Sequence, residues 1–245
     1  MKKIILSLAL AAVAASCSVY RPQIVDIPLI EEKGDTRIDA SAGLSLGLFS
    51  ASAAFGVTAT HGFTDILSGQ LHANYAGGSN FYLQAAPGIH TRVGSSATFE
   101  AFAGVGYGGS GYDATTTSTS SDGSSSSSGS YSYNGTYLLP FAQLNFGWRH
   151  LGPCEIAFGL KAGAFLPDYE YHRYNSEGAE DLDRYRNYKT TNALLEPQLQ
   201  FRVGGEKVKY TLRLGYAWLD DVMRNSESNF TYDFLTVSNG ITVSF

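Results

Sequence analysis

The sequence predicts an all-β chain, an up-and-down antiparallel transmembrane β-barrel of about ten strands. Three observations predict it. From about residue 37 onward, apolar and polar side chains alternate with a period of two almost everywhere, and no helical stripe persists. Several alternating runs have the length of a tilted strand crossing a hydrocarbon layer, about ten residues, where strands of soluble sheets average about five or six. The connections between runs alternate tight turns with segments that include three long ones, an asymmetry typical of transmembrane barrels.

The first element is not a strand. Lys2 and Lys3 precede an apolar run, Ile4 to Ala15, that is too short to span a bilayer and is followed by small residues. This reads as an export signal. The stretch AASC, Ala14 to Cys17, resembles the lipobox of bacterial lipoproteins, with Ala14 standing where Leu is usual. That resemblance implies a lipoprotein-type signal peptide over 1–16 and lipidation of Cys17 as the mature N-terminus. The alternative is ordinary cleavage near Ala15 or Ser16, with Cys17 free or bridged to Cys154, as an oxidising compartment permits. Two cysteines make no disulfide framework, and nothing has metal-site spacing; neither a metal nor a cofactor is expected. Residues 17–36 contain Pro22 and Pro28 and no clean period, and they read as a periplasmic tether to the first strand.

The barrel, 37–245, then follows strand by strand. Over 37–49, Ile38, Ala40, Leu44 and Leu46 alternate with Arg37, Asp39, Ser41 and Ser45. Over 51–60, Ala53, Phe55, Val57 and Ala59 share a face. Over 65–76, Leu67, Leu71 and Tyr75 oppose Gln70 and His72; over 81–92, Phe81, Leu83 and Ile89 oppose Gln84 and His90. Over 97–108, Phe99, Val105 and Tyr107 oppose Glu100; over 135–149, Leu138, Leu144, Phe146 and Trp148 oppose Gln143, Asn145 and Arg149. Over 155–166, Ile156, Phe158 and Leu160 oppose Glu155 and Lys161. Over 193–203, Leu195, Leu199 and Phe201 oppose Glu196, Gln198, Gln200 and Arg202. Over 207–219, Tyr210, Leu212 and Leu214 oppose Lys209, Thr211 and Arg213, and the last strand is 232–245. Pro87, Pro140 and Pro197 fall inside strands and predict bulges or shifted boundaries, because each removes a ladder donor.

Counted from a first strand that starts in the periplasm, the turns THGFTD, RVGSSA, RHLGPCE and VGGEK all fall on the periplasmic side. The long connections, roughly 109–134, 167–192 and 220–231, fall outside, and an even strand number closes the sheet without edges. Ile241, Val243 and Phe245 in NGITVSF resemble the β-signal by which the barrel-assembly machinery recognises outer-membrane proteins. The segment from Cys17, with YRP, IPLIEEKGD and a Gly/Ala-rich first strand, resembles barrel lipoproteins of Bacteroidota type. The likeness implies residence in the bacterial outer membrane, with loops facing outside and the N-terminus in the periplasm. Such barrels mostly lack an assigned ligand, so it implies no chemistry.

Function is read from the two faces. With 22 acidic and 17 basic residues there is no basic surplus, and nucleic acid is not expected as a partner. Arg37, Asp39, Glu100, Arg149, Glu155, Lys161, Glu196, Arg202, Lys209 and Arg213 fall on the inward face, where charges of both signs pair into a plug in a lumen this narrow. The functional alternative is a narrow polar path or a small-ligand barrel. His72 and His90 beside Glu100 keep a barrel lipid hydrolase open, but no G-x-S-x-G is present. Asp220, Asp221 and His172 near the outer rim resemble the omptin proteases only in position.

Residues 113–132, DATTTSTSSDGSSSSSGSYS, are too poor in apolar groups to pack and are expected to be mobile. The connection 168–192 carries Tyr169, Tyr171, Tyr174, Tyr185 and Tyr188 among alternating charges. It suits either strand extensions above the membrane or a contact surface for an extracellular ligand. The sequence therefore points to a non-enzymatic barrel whose partners are outer-membrane lipid, the assembly machinery and an unidentified ligand.

Overall fold

An apolar face and a polar face on one sheet are both accommodated when the sheet curls until its edges meet, polar side inward. The computed structural model describes residues 18, 20–47, 51–119, 126–174, 186–220 and 232–245, and in it the closure is complete. The strands are β1 (Thr36–Gly47), β2 (Ala51–Gly62), β3 (Leu67–Tyr75), β4 (Phe81–Val93), β5 (Ala97–Thr119) and β6 (Ser126–Leu151). They continue with β7 (Cys154–Tyr174), β8 (Arg186–Tyr188), β9 (Asn192–Gly204), β10 (Val208–Tyr216), β11 (Trp218–Leu219) and β12 (Asp233–Ser244). Neighbours pair antiparallel around the ring, with β9 joining β7 to β10 and β12 joining β10 to β1. β8 extends the ladder on β7 and β11 extends the one on β9, so ten strands form the barrel. The seam runs from Arg37–Ser244 to Leu46–Leu235 and ends with Phe245 N–H donating to Thr36 O at 3.0 Å.

Outward faces carry the apolar residues of the alternation: Leu71 is 62% exposed, Leu83 53% and Ile241 54%. A face of this kind is stable against hydrocarbon and not against water. Aromatics flank it at both ends, with Phe55, Tyr75 and Tyr107 toward the long connections and Phe63, Trp148 and Phe245 toward the tight turns, the arrangement of interfacial girdles.

The three internal prolines produce no bulge. Pro87 pairs with Gly69, while the β4–β5 ladder skips from Ala85–Val105 to Gly88–Phe102 in the same register. Pro140 pairs with Val105, and β6–β7 skips from Leu138–Leu166 to Phe141–Gly163. Pro197 pairs with Leu160, and the opposite side of β9 passes from Gln198–Gly215 on β10 to Leu195–Trp218 on β11. Each missing N–H opens a short gap on one side, and the intact ladder on the other side keeps the strand in step.

Two connections differ from expectation. The Ser-rich segment is not a loose loop where it is described: Asp113 to Thr119 pairs with Ser126 to Ser132 as a continuation of β5 and β6. Extending an existing ladder uses backbone groups and needs no apolar core. β7 likewise runs on to Tyr174, pairing with β6 as far as Ser130.

The larger departure is the segment expected as a periplasmic tether. Residues 20–30 lie inside the barrel, with Tyr20, Val25, Ile27, Leu29 and Ile30 each at most 3% exposed. Tyr20 bridges in parallel to Tyr232, and Asp233 N–H donates to Tyr20 O at 2.8 Å, so the strap starts at the end where the long connections lie. It leaves at the opposite end, where Gly34 N–H donates to Gly62 O at 2.8 Å, and passes into β1. The described start of the chain and the long connections therefore share one end of the barrel, so the expectation that set them on opposite sides does not hold.

Candidate functional site

The lumen is the candidate site, and the strap is what fills it. An extended chain inside a barrel has no sheet partner, so its amides and carbonyls require side chains. β9 supplies several. Gln200 accepts from Ile27 N–H at 3.1 Å and donates to Ile27 O at 2.8 Å; Gln198 donates to Val25 O at 2.7 Å. Glu196 accepts from Gln23 N–H at 2.9 Å and from the Tyr20 hydroxyl at 2.7 Å. From elsewhere, Gln70 donates to Asp26 O at 2.9 Å, Lys161 to Gln23 O at 3.3 Å and Arg149 to Leu29 O at 3.2 Å, while Glu100 accepts from Ile30 N–H at 2.7 Å. Pro22 and Pro28 bring no N–H of their own, which reduces the number of donors to be matched.

Below this runs a chain of ion pairs. Arg202 and Arg213 each place Nη2 2.6 Å from Asp26 Oδ1, Arg213 also reaches Asp39 at 2.6 Å, and Arg202 reaches Glu155 at 2.8 Å. Glu155 pairs with Arg37 at 3.0 Å and has Lys209 at 3.6 Å. Arg149 closes the tight-turn end on Asp35 at 2.5 Å. Asp26 is thus the strap's own contribution to a network of three arginines and three carboxylates that is almost wholly buried. Burying these charges is tolerable only because each is paired and hydrogen-bonded.

Toward the long connections the lumen turns aromatic. Tyr20 meets Tyr137 edge-on at 5.6 Å and Phe165 at 5.0 Å, and Tyr82 stacks on Tyr137 at 6.1 Å. The rings of Tyr82 and Tyr137 lie directly over Gly106 and Gly108 of β5, where any Cβ would overlap them.

The structure places all ten charged residues read as inward in the lumen, with Arg149 the most exposed at 18% for its side chain. The sequence reading missed the residues they hold: Tyr20, Gln23, Asp26, Ile27 and Ile30 of the strap. It also missed the inward aromatics. Their signal was present as a breakdown of alternation, since Tyr82 sits between Phe81 and Leu83 and Tyr137 beside Leu138.

The tyrosines of the long connection separate. Tyr169 is 1% exposed and accepts from the Ser110 hydroxyl at 2.9 Å, so it is a lumen residue and not a surface one. Tyr171 packs on Tyr133 across the β6–β7 ladder at 4.7 Å, Tyr174 stacks on His172 at 6.4 Å, and Tyr188 accepts from Asn192 at 2.9 Å. Cys17, the signal segment, Tyr185 and Asp221 lie outside the described residues. Ile241 and Val243 pair with Ala40 and Ile38 at the seam.

The histidines do not form the arrangements considered for hydrolysis. His72 Nδ1 is 2.9 Å from Thr58 Oγ1 in the lumen. His90 faces Glu100 across β4–β5, but among the described residues neither ring nitrogen has a hydrogen-bond partner, and Glu100 is engaged by Ile30 and Asn145. His172 lies nine residues beyond Gly163 on β7, whereas Asp220 directly follows Leu219, which reaches the level of Gly163 through Leu194. At about 3.3 Å per residue they lie about 25 Å apart along the strand direction. Among the described residues no group of three or more His, Cys, Asp or Glu is placed to hold a metal, and Cys154 is a free thiol.

No family model matches the chain, and no curated protein is similar to it in sequence. Solved structures are similar in fold. The outer membrane protease OmpT from Escherichia coli superposes with a TM-score of 0.54 at 9% identity, covering 86% of this chain and 94% of that one. The P. putida toluene transporter TodX gives 0.41 at 9% identity over 93% and 73%, and the KdgM porin 0.40 at 10% over 85% and 99%. The OmpT likeness supports the barrel architecture of outer-membrane proteins; at such identity it concerns fold alone.

Proposed function

We propose that this chain is a non-enzymatic barrel of the bacterial outer membrane whose lumen is closed by its own strap. Its role is structural or one of surface contact, exercised by the hairpin extensions of β5, β6 and β7 on the outer face. The observation that carries this reading is the lumen itself: eight inward side chains bond the backbone of residues 23–30, and the ion pairs fill the section below. A path for solutes would have to displace them. The separation of His172 and Asp220 along the strands speaks against a joint role in protease chemistry at the rim.

With the long connections outside, the strap enters from the outer face. Ser18 sits at that mouth, its Oγ accepting from Asp233 N–H at 3.0 Å. A lipid on Cys17, the preceding residue, would then anchor the chain from outside and not from the periplasm.

Conductance in planar bilayers tests the reading. The intact protein is expected to give no steady unitary current. A steady current from the intact barrel overturns the closed lumen and establishes the narrow-channel alternative.

A further inference from the structure

Midway along β12, one outward side chain does not suit hydrocarbon. The strand turns Thr236, Ser238 and Thr242 into the lumen and Val237, Asn239 and Ile241 outward, and Asn239 is exposed like its two neighbours. Asn239 pairs with Ala42 on β1 and with Leu212 on β10, the middle residue of that strand, so it stands near mid-height of the wall. Its side chain makes no hydrogen bond among the described residues. Other outward positions in the middle of the wall are apolar, as at Leu71, Ala85, Leu160 and Leu199, and polar ones such as His61 and Thr91 lie toward its ends.

A side-chain amide carries two donors and an acceptor oxygen, and leaving them unmatched in hydrocarbon is costly. Polar groups at membrane depth are commonly covered by another polar group, and small residues beside them let two backbones come close. Both conditions point to a second copy of this chain. Copies sharing one bilayer and one orientation are related by an axis along the bilayer normal, which leaves every residue at its own depth. At the depth of Asn239 such a copy offers the same amide, which is its own complement as donor and acceptor. The two-fold that joins the amides also sets β10 of each copy against β1 of the other. Leu212, on one side of Asn239, then meets Ala42, on the other, at the same level.

We propose that the outward wall of β10, β12 and β1 is the contact face of a two-fold dimer of this chain within the membrane. The two Asn239 amides exchange N–H···O hydrogen bonds at its centre, and Leu212 of each copy packs over Ala42 of the other. The dimer rests on the outward wall meeting lipid and is indifferent to whether the lumen conducts, so it and the conductance test fail separately.

The test is energy transfer between intact chains carrying donor or acceptor dyes on Cys154, reconstituted in dioleoylphosphatidylcholine vesicles over a range of protein-to-lipid ratios. Transfer is expected to rise to a plateau at low protein density. Asn239→Leu places at this position a residue that the outward face carries elsewhere, so folding is kept, and it is expected to weaken association about tenfold. Ala42→Trp is expected to abolish the plateau, because the ring fills the space that Leu212 of the other copy takes. Val105→Trp, outward on β5 across the barrel from β12, is expected to leave it unchanged. Transfer no greater than random mixing at every ratio overturns the proposal. So does association that Asn239→Leu leaves at full strength, or that Val105→Trp disrupts as much as Ala42→Trp.

Discussion

Replacing Asp26 by Ala removes one carboxylate that two buried guanidiniums share. Arg202 and Arg213 both contact Asp26 Oδ1 at 2.6 Å, and both have side chains at 0% exposure. The surrounding network sets Arg37, Arg202 and Arg213, with Lys209 at its edge, against Asp26, Asp39 and Glu155, so the variant removes one of three carboxylates from a group that already holds more cations than anions. Stranding a buried charge costs about 3–5 kcal/mol. Each arginine keeps one carboxylate, Glu155 at 2.8 Å for Arg202 and Asp39 at 2.6 Å for Arg213, which puts the expected loss near the lower end, about 3 kcal/mol.

Reversible urea unfolding in lipid vesicles, followed by the fluorescence of Trp148 and Trp218, measures that loss as a shift in midpoint at unchanged slope. A second change, Arg213→Met, removes one of the two cations that Asp26 held and is expected to recover part of the loss, because an apolar replacement of a buried pair is often nearly neutral. A single-variant loss below about 1 kcal/mol would refute the reasoning. It would mean that water reaches Asp26 and that the strap does not seal the lumen.

Two further outcomes follow from the same geometry. Leu71→Arg, in the middle of β3 on the outward face, is expected to cost about 2–4 kcal/mol if that face meets hydrocarbon; an unchanged urea midpoint in vesicles would remove the lipid-facing assignment. Gln200→Ala deletes both bonds to Ile27 and the acceptor at 2.8 Å from Arg213 Nε. It is expected to cost about 2–3 kcal/mol and to speed hydrogen exchange at Ile27; unaltered protection there would show that the strap does not depend on this side chain.

Much of the barrel was legible because alternation is a local property. Ile38 beside Arg37 and Asp39, or Phe201 between Gln200 and Arg202, declares two faces without any knowledge of partners. Chain length per crossing and the parity of turns then leave closure as the arrangement in which no strand edge faces lipid. The prolines misled because sequence registers the lost donor and not the neighbouring ladder that keeps the strand in place. The Ser-rich connection misled because composition reports on core formation, whereas a hairpin that continues two existing strands needs only its backbone.

By itself, then, the sequence determined the apolar and the charged faces of the strands, but not the aromatics Tyr82, Tyr137 and Tyr169 that turn inward. It could not determine what the inward residues face. Gln200, Glu196, Glu100 and Gln70 look like a self-contained polar filling when read one strand at a time, and residues 20–35 look like a tether because they have no period. Only the closed structure brings groups more than a hundred residues apart onto one segment, as with Ile27 and Gln200 or Asp26 and Arg213. The physical reason is that an enclosed strap has no ladder to announce it. Its stability resides in side-chain donors and acceptors from distant strands, and these converge only once the barrel has closed around it.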